Sequence, residues 1–105
     1  MNDHSAVAVI PTPSASRYLQ QLCKHWSHKL AVVFTADEGT IVFPKDARGA
    51  TFAADARVTL RAREAALEVL VEASALRQLE GLKSAVASHL DRFAFREAPL
   101  AFDWR

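Results

Sequence analysis

The stretch RVTLRAREAALEVLVEAS, residues 57–74, leaves few options for its fold. Apolar and charged residues alternate along both halves, the period of a half-buried strand. With a turn at Glu64-Ala65, Arg61 faces Glu68, Thr59 faces Leu70, and Arg57 faces Glu72. On the other side Ala62 meets Leu67, Leu60 meets Val69, and Val58 meets Val71. One face is wholly apolar and the other carries two opposite-charge pairs. Each such cross-strand pair stabilises a hairpin by about 0.2–1 kcal/mol. A one-residue slip would turn the whole apolar set into water. The spacing therefore predicts an antiparallel hairpin with a fixed register. Glu-Ala is a poor primed turn, so the pairing carries this expectation rather than the turn. Arg57, Arg61 and Arg63 become a solvated strand face with glutamate partners, not a binding patch.

The remaining elements follow from period and punctuation. SAVAVI (5–10) is a short β-branched run stopped by Pro11 and Pro13, and reads as a strand. Ala15, Leu19, Leu22, Cys23 and Trp26 share one helical face, which predicts a helix over 15–28 capped by Ser14 or Ser16. AVVFT (31–35) and TIVFP (40–44) flank ADEG, with Gly39 taking the positive φ of a hairpin loop. KDARG (45–49) reads as a loop and ATFA (50–53) as a short strand. Leu79, Leu82, Val86, Leu90 and Phe93 form a second helical stripe, with Ser74 as its cap. In LAFDW (100–104), Leu100, Phe102 and Trp104 alternate to one side, which predicts a packed extended tail over 97–105. Residues 1–4 read as a loose end. The order is β-α-β-β-β-β-(β)-α. Consecutive strands with helices at the ends indicate an α+β domain spanning 1–105. It has two layers, two helices packed on one face of an antiparallel sheet of about five strands.

Charge and cysteine content narrow the class. Thirteen basic residues balance twelve acidic ones, for a net charge of +1, and neither sign is clustered. A nucleic-acid partner is therefore not expected. No run is long enough to span a bilayer, so membrane insertion is not expected. The N-terminus lacks the basic and apolar regions of a signal peptide, and the single cysteine excludes an intrachain disulfide. Both favour a reducing cytoplasm.

The densest chemistry lies in CKHWSHK (23–29). On a helix at about 100° per residue, Cys23 and His25 stand about 160° apart and cannot share a metal. Cys23 falls on the apolar face and reads as a buried small hydrophobe. His25 and His28 are three apart and are neighbours, in a flank stripe with Tyr18 and Gln21. Two imidazoles are not a metal site, because zinc needs three or four ligands. His89 borders the second stripe beside Val86 and Phe93. If the helices lie side by side, it approaches His25, a point that spacing leaves open. A structural role is the simpler account of these residues, His25 as a border histidine bonded to backbone or Tyr18 and His28 at the helix C-terminus. Phe93, Phe95, Phe102 and Trp104 form an aromatic C-terminal set, where Arg92 or Arg96 can pair with Asp91, Asp103 or Glu97. There is no glycine-rich phosphate loop, Cys-x-x-Cys or Gly-x-Ser-x-Gly, and no nucleophile stands out by spacing.

SASRYLQQLCKHWSHK near the N-terminus, followed by strands, HLDRFAFRE and an aromatic tail with Trp104, resembles the bacterial family catalogued as domain of unknown function 2218. The likeness runs from about Ser5 to Trp104. It implies a small stand-alone bacterial protein with no established activity and no agreed catalytic residues. The resemblance also implies an association with iron and siderophore gene neighbourhoods, which adds to the idea of a metal at His25, His28 and His89; imidazole suits iron or zinc. The element order is also similar to TATA-binding-protein-like and helix-grip arrangements, an analogy of fold alone. Together these features favour a non-catalytic accessory protein binding a small ligand or metal, over an enzyme. Tyr18, His25, His28, His89 and Arg92 are the candidate ligand-binding residues. The alternative is an interaction or homodimer module using Phe95, Phe102 and Trp104.

Overall fold

The computed structural model describes residues 4–47 and 50–105. Strand β1 (His4–Pro11) leads to helix α1 (Ala15–Ser27). Then come β2 (Ala31–Phe34), β3 (Glu38–Phe43), the short β4 (Asp46–Ala47) and β5 (Ala50–Thr51), β6 (Ala56–Ala62), β7 (Ala66–Ala73) and helix α2 (Leu76–Phe93). Five strands form one antiparallel sheet in the order β1-β7-β6-β3-β2, and β4 pairs with β5 apart from it. Both helices pack on one face, α1 over the β2–β3–β6 side and α2 over β7 and β1. This is the α+β, two-layer arrangement that the element order predicts.

The β6–β7 register matches the sequence at all six pairs, from Arg57 opposite Glu72 to Ala62 opposite Leu67. The inner members Val58, Leu60, Leu67, Val69 and Val71 are fully buried. The ion pairs differ from expectation. Arg61 pairs with Glu38 of β3 (3.4 Å), while Glu68 is taken by Arg63 (2.9 Å). The cause is position in the sheet: β6 is flanked on both sides, and Glu38 stands opposite Arg61 on β3.

Helix α1 buries the whole predicted stripe, Ala15, Leu19, Leu22, Cys23 and Trp26, and adds Tyr18. Ser14 occupies its N-cap position without a side-chain capping bond. At α2 the N-cap position is Ala75, not Ser74. The Ser74 backbone N–H instead donates to the Gln78 side-chain oxygen (2.9 Å), and the Gln78 amide donates to the Ala54 carbonyl (3.2 Å). The Ser74 hydroxyl donates to the same Gln78 oxygen (2.9 Å), so both side chains tie the end of β7 to α2 rather than cap the helix N–H groups.

Four local expectations change. Gly39 lies inside β3, not in the turn, which is closed by Thr35 N–H donating to the Glu38 carbonyl (2.7 Å). The expected loop over 45–49 contains β4, while residues 48 and 49 lie outside the described residues. The strand at 50–53 is limited to β5 and stays out of the main sheet. At the N-terminus, residues 1–3 of the expected loose end lie outside the described residues, and His4 already opens β1.

The tail packs as an extended segment. Leu100 is buried, and Phe102 and Trp104 pack on the core, their rings stacked 6.0 Å apart. Arg105 exchanges two backbone hydrogen bonds with Val7 (2.8 and 3.0 Å), so the chain end sits along the free edge of β1. Covering an edge in this way removes unpaired donors and acceptors from reach of other chains. Among the described residues, no helix is long and apolar enough to cross a membrane.

Candidate functional site

Helices α1 and α2 lie side by side and antiparallel, since His25 meets His89 at one end and Tyr18 meets Glu97 at the other. The flank stripe Tyr18-Gln21-His25 of α1 therefore faces the end of α2 and the segment after it. Residues three and four apart on a helix share a face, which is why this stripe forms one wall.

At the first end the imidazoles of His25 and His89 stand 5.0 Å apart, centroid to centroid. Phe93 closes on His25 (5.9 Å) and Trp26 on His89 (4.9 Å). Phe43 of β3 meets Trp26 edge-on at 5.0 Å and fixes the indole from below. His89 Nδ1 lies 2.7 Å from the Ala85 carbonyl. A carbonyl only accepts, so Nδ1 carries the proton and neutral His89 keeps its lone pair on Nε2. His28 occupies the exposed C-cap of α1, without a ring contact to either histidine among the described residues.

The three candidate metal ligands are thus not one cluster. Among the described residues, no group of three or more His, Cys, Asp and Glu could hold a metal. Two imidazoles fall short of a resident zinc or iron site. Cys23 is fully buried, and burial pushes its thiol up to about 11. A reactive thiol needs the opposite setting.

Desolvation holds His25 below its ordinary imidazole value, reinforced by positive charge from His89, Arg92, His28 and Lys29. A depressed folded-state value means that this group favours the folded state above its unfolded titration point near 6.5. That contribution is lost as pH falls through the depressed value. An NMR titration of the His25 ring should therefore show a midpoint below about 6.5. His89→Gln should return it only part of the way, because desolvation remains. A midpoint at or above the ordinary value would show that the ring is neither desolvated nor close to positive charge.

The second end is a groove of about 240 Å³ lined by Arg17, Tyr18 and Gln21 of α1 and by Phe93, Phe95 and Arg96. Among the described residues that line it there is no carboxylate. The Arg96 guanidinium sits 5.6 Å over the Phe95 ring, within cation–π range, and that ring is 71% exposed. Behind the groove, the Tyr18 hydroxyl donates to one Glu97 oxygen and Thr12 donates to the other (2.9 Å). The bond to Glu97, then burial, raises the Tyr18 phenol above its ordinary value.

The carboxylates that sequence proximity offers to Arg92 and Arg96 are otherwise engaged. Asp91 accepts from the Leu100 backbone N–H (2.9 Å), Glu97 holds Tyr18 and Thr12, and Asp103 pairs with Arg105 (3.3 Å). Among the described residues, Arg17, Arg92 and Arg96 form no ion pair.

Of the ligand candidates read from the sequence, His25 and His89 meet, Tyr18 lines the adjoining groove, Arg92 adds charge nearby, and His28 stands apart. Arg17, Gln21 and Arg96 were not singled out for the site. Gln21 belongs to the flank stripe, which is the one signal that reaches it. Of the aromatic set, Phe95 is exposed at the groove. Phe102 and Trp104 are half-buried, with Lys83 Nζ 5.6 Å from the Trp104 ring.

No curated protein matches the chain. Its fold is similar to a solved structure titled "NMR structure of PA4090 from Pseudomonas aeruginosa", with a TM-score of 0.73 and 28% sequence identity. That likeness covers 100% of this chain and 96% of the other. Residues 7–105 match the family described as "Uncharacterized protein conserved in bacteria (DUF2218)". With nearly its whole length matched, from the edge strand through the aromatic tail, the chain belongs to that family.

Proposed function

We propose that this is a non-catalytic cytoplasmic accessory protein that binds a small anionic ligand in the groove between α1 and α2. One observation carries the reading: Arg17 and Arg96 line that groove and, among the described residues, form no ion pair, the nearby Glu97 being held by Tyr18 and Thr12. Unpaired guanidinium forks match carboxylate and phosphate geometry. Arg92 extends the positive field along the same helix seam, toward the His25–His89 pair. Binding rather than catalysis suits a groove wall made of arginine, glutamine and phenyl side chains. The Tyr18 hydroxyl, its one weakly acidic group, is already committed to Glu97.

Native mass spectrometry of untagged protein from a cell lysate tests this. The expected spectrum contains an added small-molecule mass in the wild type that is lost in the Arg17→Gln/Arg96→Gln variant. A bare mass in both would overturn the reading.

A further inference from the structure

Taking the groove as the binding site proposed above, we infer that its ligand is a single-ring aromatic monocarboxylate. The carboxylate sits between Arg17 and Arg96, and the ring lies against Phe93 and Phe95. Size sets the first limit. Sites for drug-sized ligands enclose about 300–1,000 Å³, and this groove, at about 240 Å³, falls below that range. It accommodates one ring with its substituents, not a dinucleotide or a peptide.

The chemistry of the walls sets the second. The cationic groups stand on opposite walls, Arg17 on α1 and Arg96 after α2. Two phenyl side chains line the groove on the Arg96 side, Phe93 half-buried and Phe95 71% exposed. A phenyl ring left in water at the lip of a groove is a platform for an apolar face. Stacking of Arg96 on Phe95 holds the guanidinium while leaving its N–H fork free to meet a carboxylate. Gln21 supplies an amide on the α1 wall for a ring substituent. An inorganic anion would use the arginines and ignore the phenyls. A neutral aromatic would do the reverse. Only a ligand with both parts uses the whole wall.

The experiment is an amide-detected NMR titration of the full chain with four probes: benzoate, cyclohexanecarboxylate, benzamide and inorganic phosphate. Benzoate should shift residues 17–21 and 93–97 saturably. The other three should bind about tenfold more weakly or worse, as expected when one charge-assisted or aromatic contact is lost. Arg96→Gln should weaken benzoate by about tenfold while the rest of the spectrum stays in place. Phe95→Ala, at an exposed position, should weaken benzoate more than cyclohexanecarboxylate, which loses only the platform that holds Arg96. Equal binding of cyclohexanecarboxylate or benzamide, stronger binding of phosphate, or no saturable shift with benzoate would overturn the inference. Should native mass spectrometry still reveal a bound anion of another kind, the ligand class falls and the binding reading stands. A bare protein that is silent to all four probes removes both.

Discussion

Gly39→Ala should destabilise the protein by about 1–3 kcal/mol, the usual cost of overpacking a tight core. The cause is contact, not backbone conformation. A Cβ at position 39 would lie 2.6 Å from the Cys23 sulfur, 3.2 Å from the Phe34 Cβ and 3.5 Å from a Leu19 methyl. Helix α1 thus sits directly on β3 at this point, and the missing side chain is what lets it. In a domain of this size, each kcal/mol moves Tm by about 4–8 °C. The thiol is the closest obstacle, so the penalty should shrink in a Cys23→Ala background, where the sulfur is gone. The rescue should be partial because Phe34 remains. Urea denaturation of the wild type, both single variants and the double variant checks this. Coupling of about 0.5 kcal/mol or more is expected for residues in contact. Simple additivity, or a neutral Gly39→Ala, would show that the close approach is not the reason for glycine.

Gly39 also shows where sequence reasoning stops. A lone glycine between two apolar runs looks the same whether it bends a turn or admits a helix. The distinction depends on Cys23, sixteen positions away and on another element. The β6–β7 hairpin was legible because its period, its polar face and its apolar face all demand one register, and any slip exposes the core. The two helical stripes were legible for the same reason. The ion pairs were not, since the hairpin does not announce that β3 flanks it and that Glu38 will stand beside Arg61. The site divides similarly. His25 and His89 border two apolar stripes that pack on one sheet face, so their meeting followed once the helices were neighbours. The fate of Asp91 and Glu97 depended on where the tail folds back. A carboxylate near an arginine in sequence says little when a buried hydroxyl or a backbone N–H competes for it.

Glu97→Ala should cost about 2–4 kcal/mol, because it strands two buried hydroxyls at once, each worth about 1–3 kcal/mol when left without a partner. Tyr18 is 5% exposed and Thr12 is 3% exposed, so water has little access to replace the carboxylate. Thr12 keeps one contact, accepting from the Ser14 N–H (3.1 Å), which holds the total below the upper sum. Tyr18→Phe should cost less. It leaves Glu97 bonded to Thr12, and the partly exposed carboxylate can recruit water. The order Glu97→Ala worse than Tyr18→Phe therefore reads out which partner is buried. The same clamp reaches function, because it anchors the segment that carries Phe95 and Arg96 onto the start of α1. Glu97→Ala should accordingly weaken benzoate even at temperatures where the variant is fully folded, whereas Thr59→Ala on the opposite, open face of the sheet should leave it unchanged. Thermal denaturation followed by the same NMR titration separates the two effects. A Glu97→Ala protein that binds benzoate as tightly as the wild type would mean that the groove is held by α2 alone and that the clamp serves stability only.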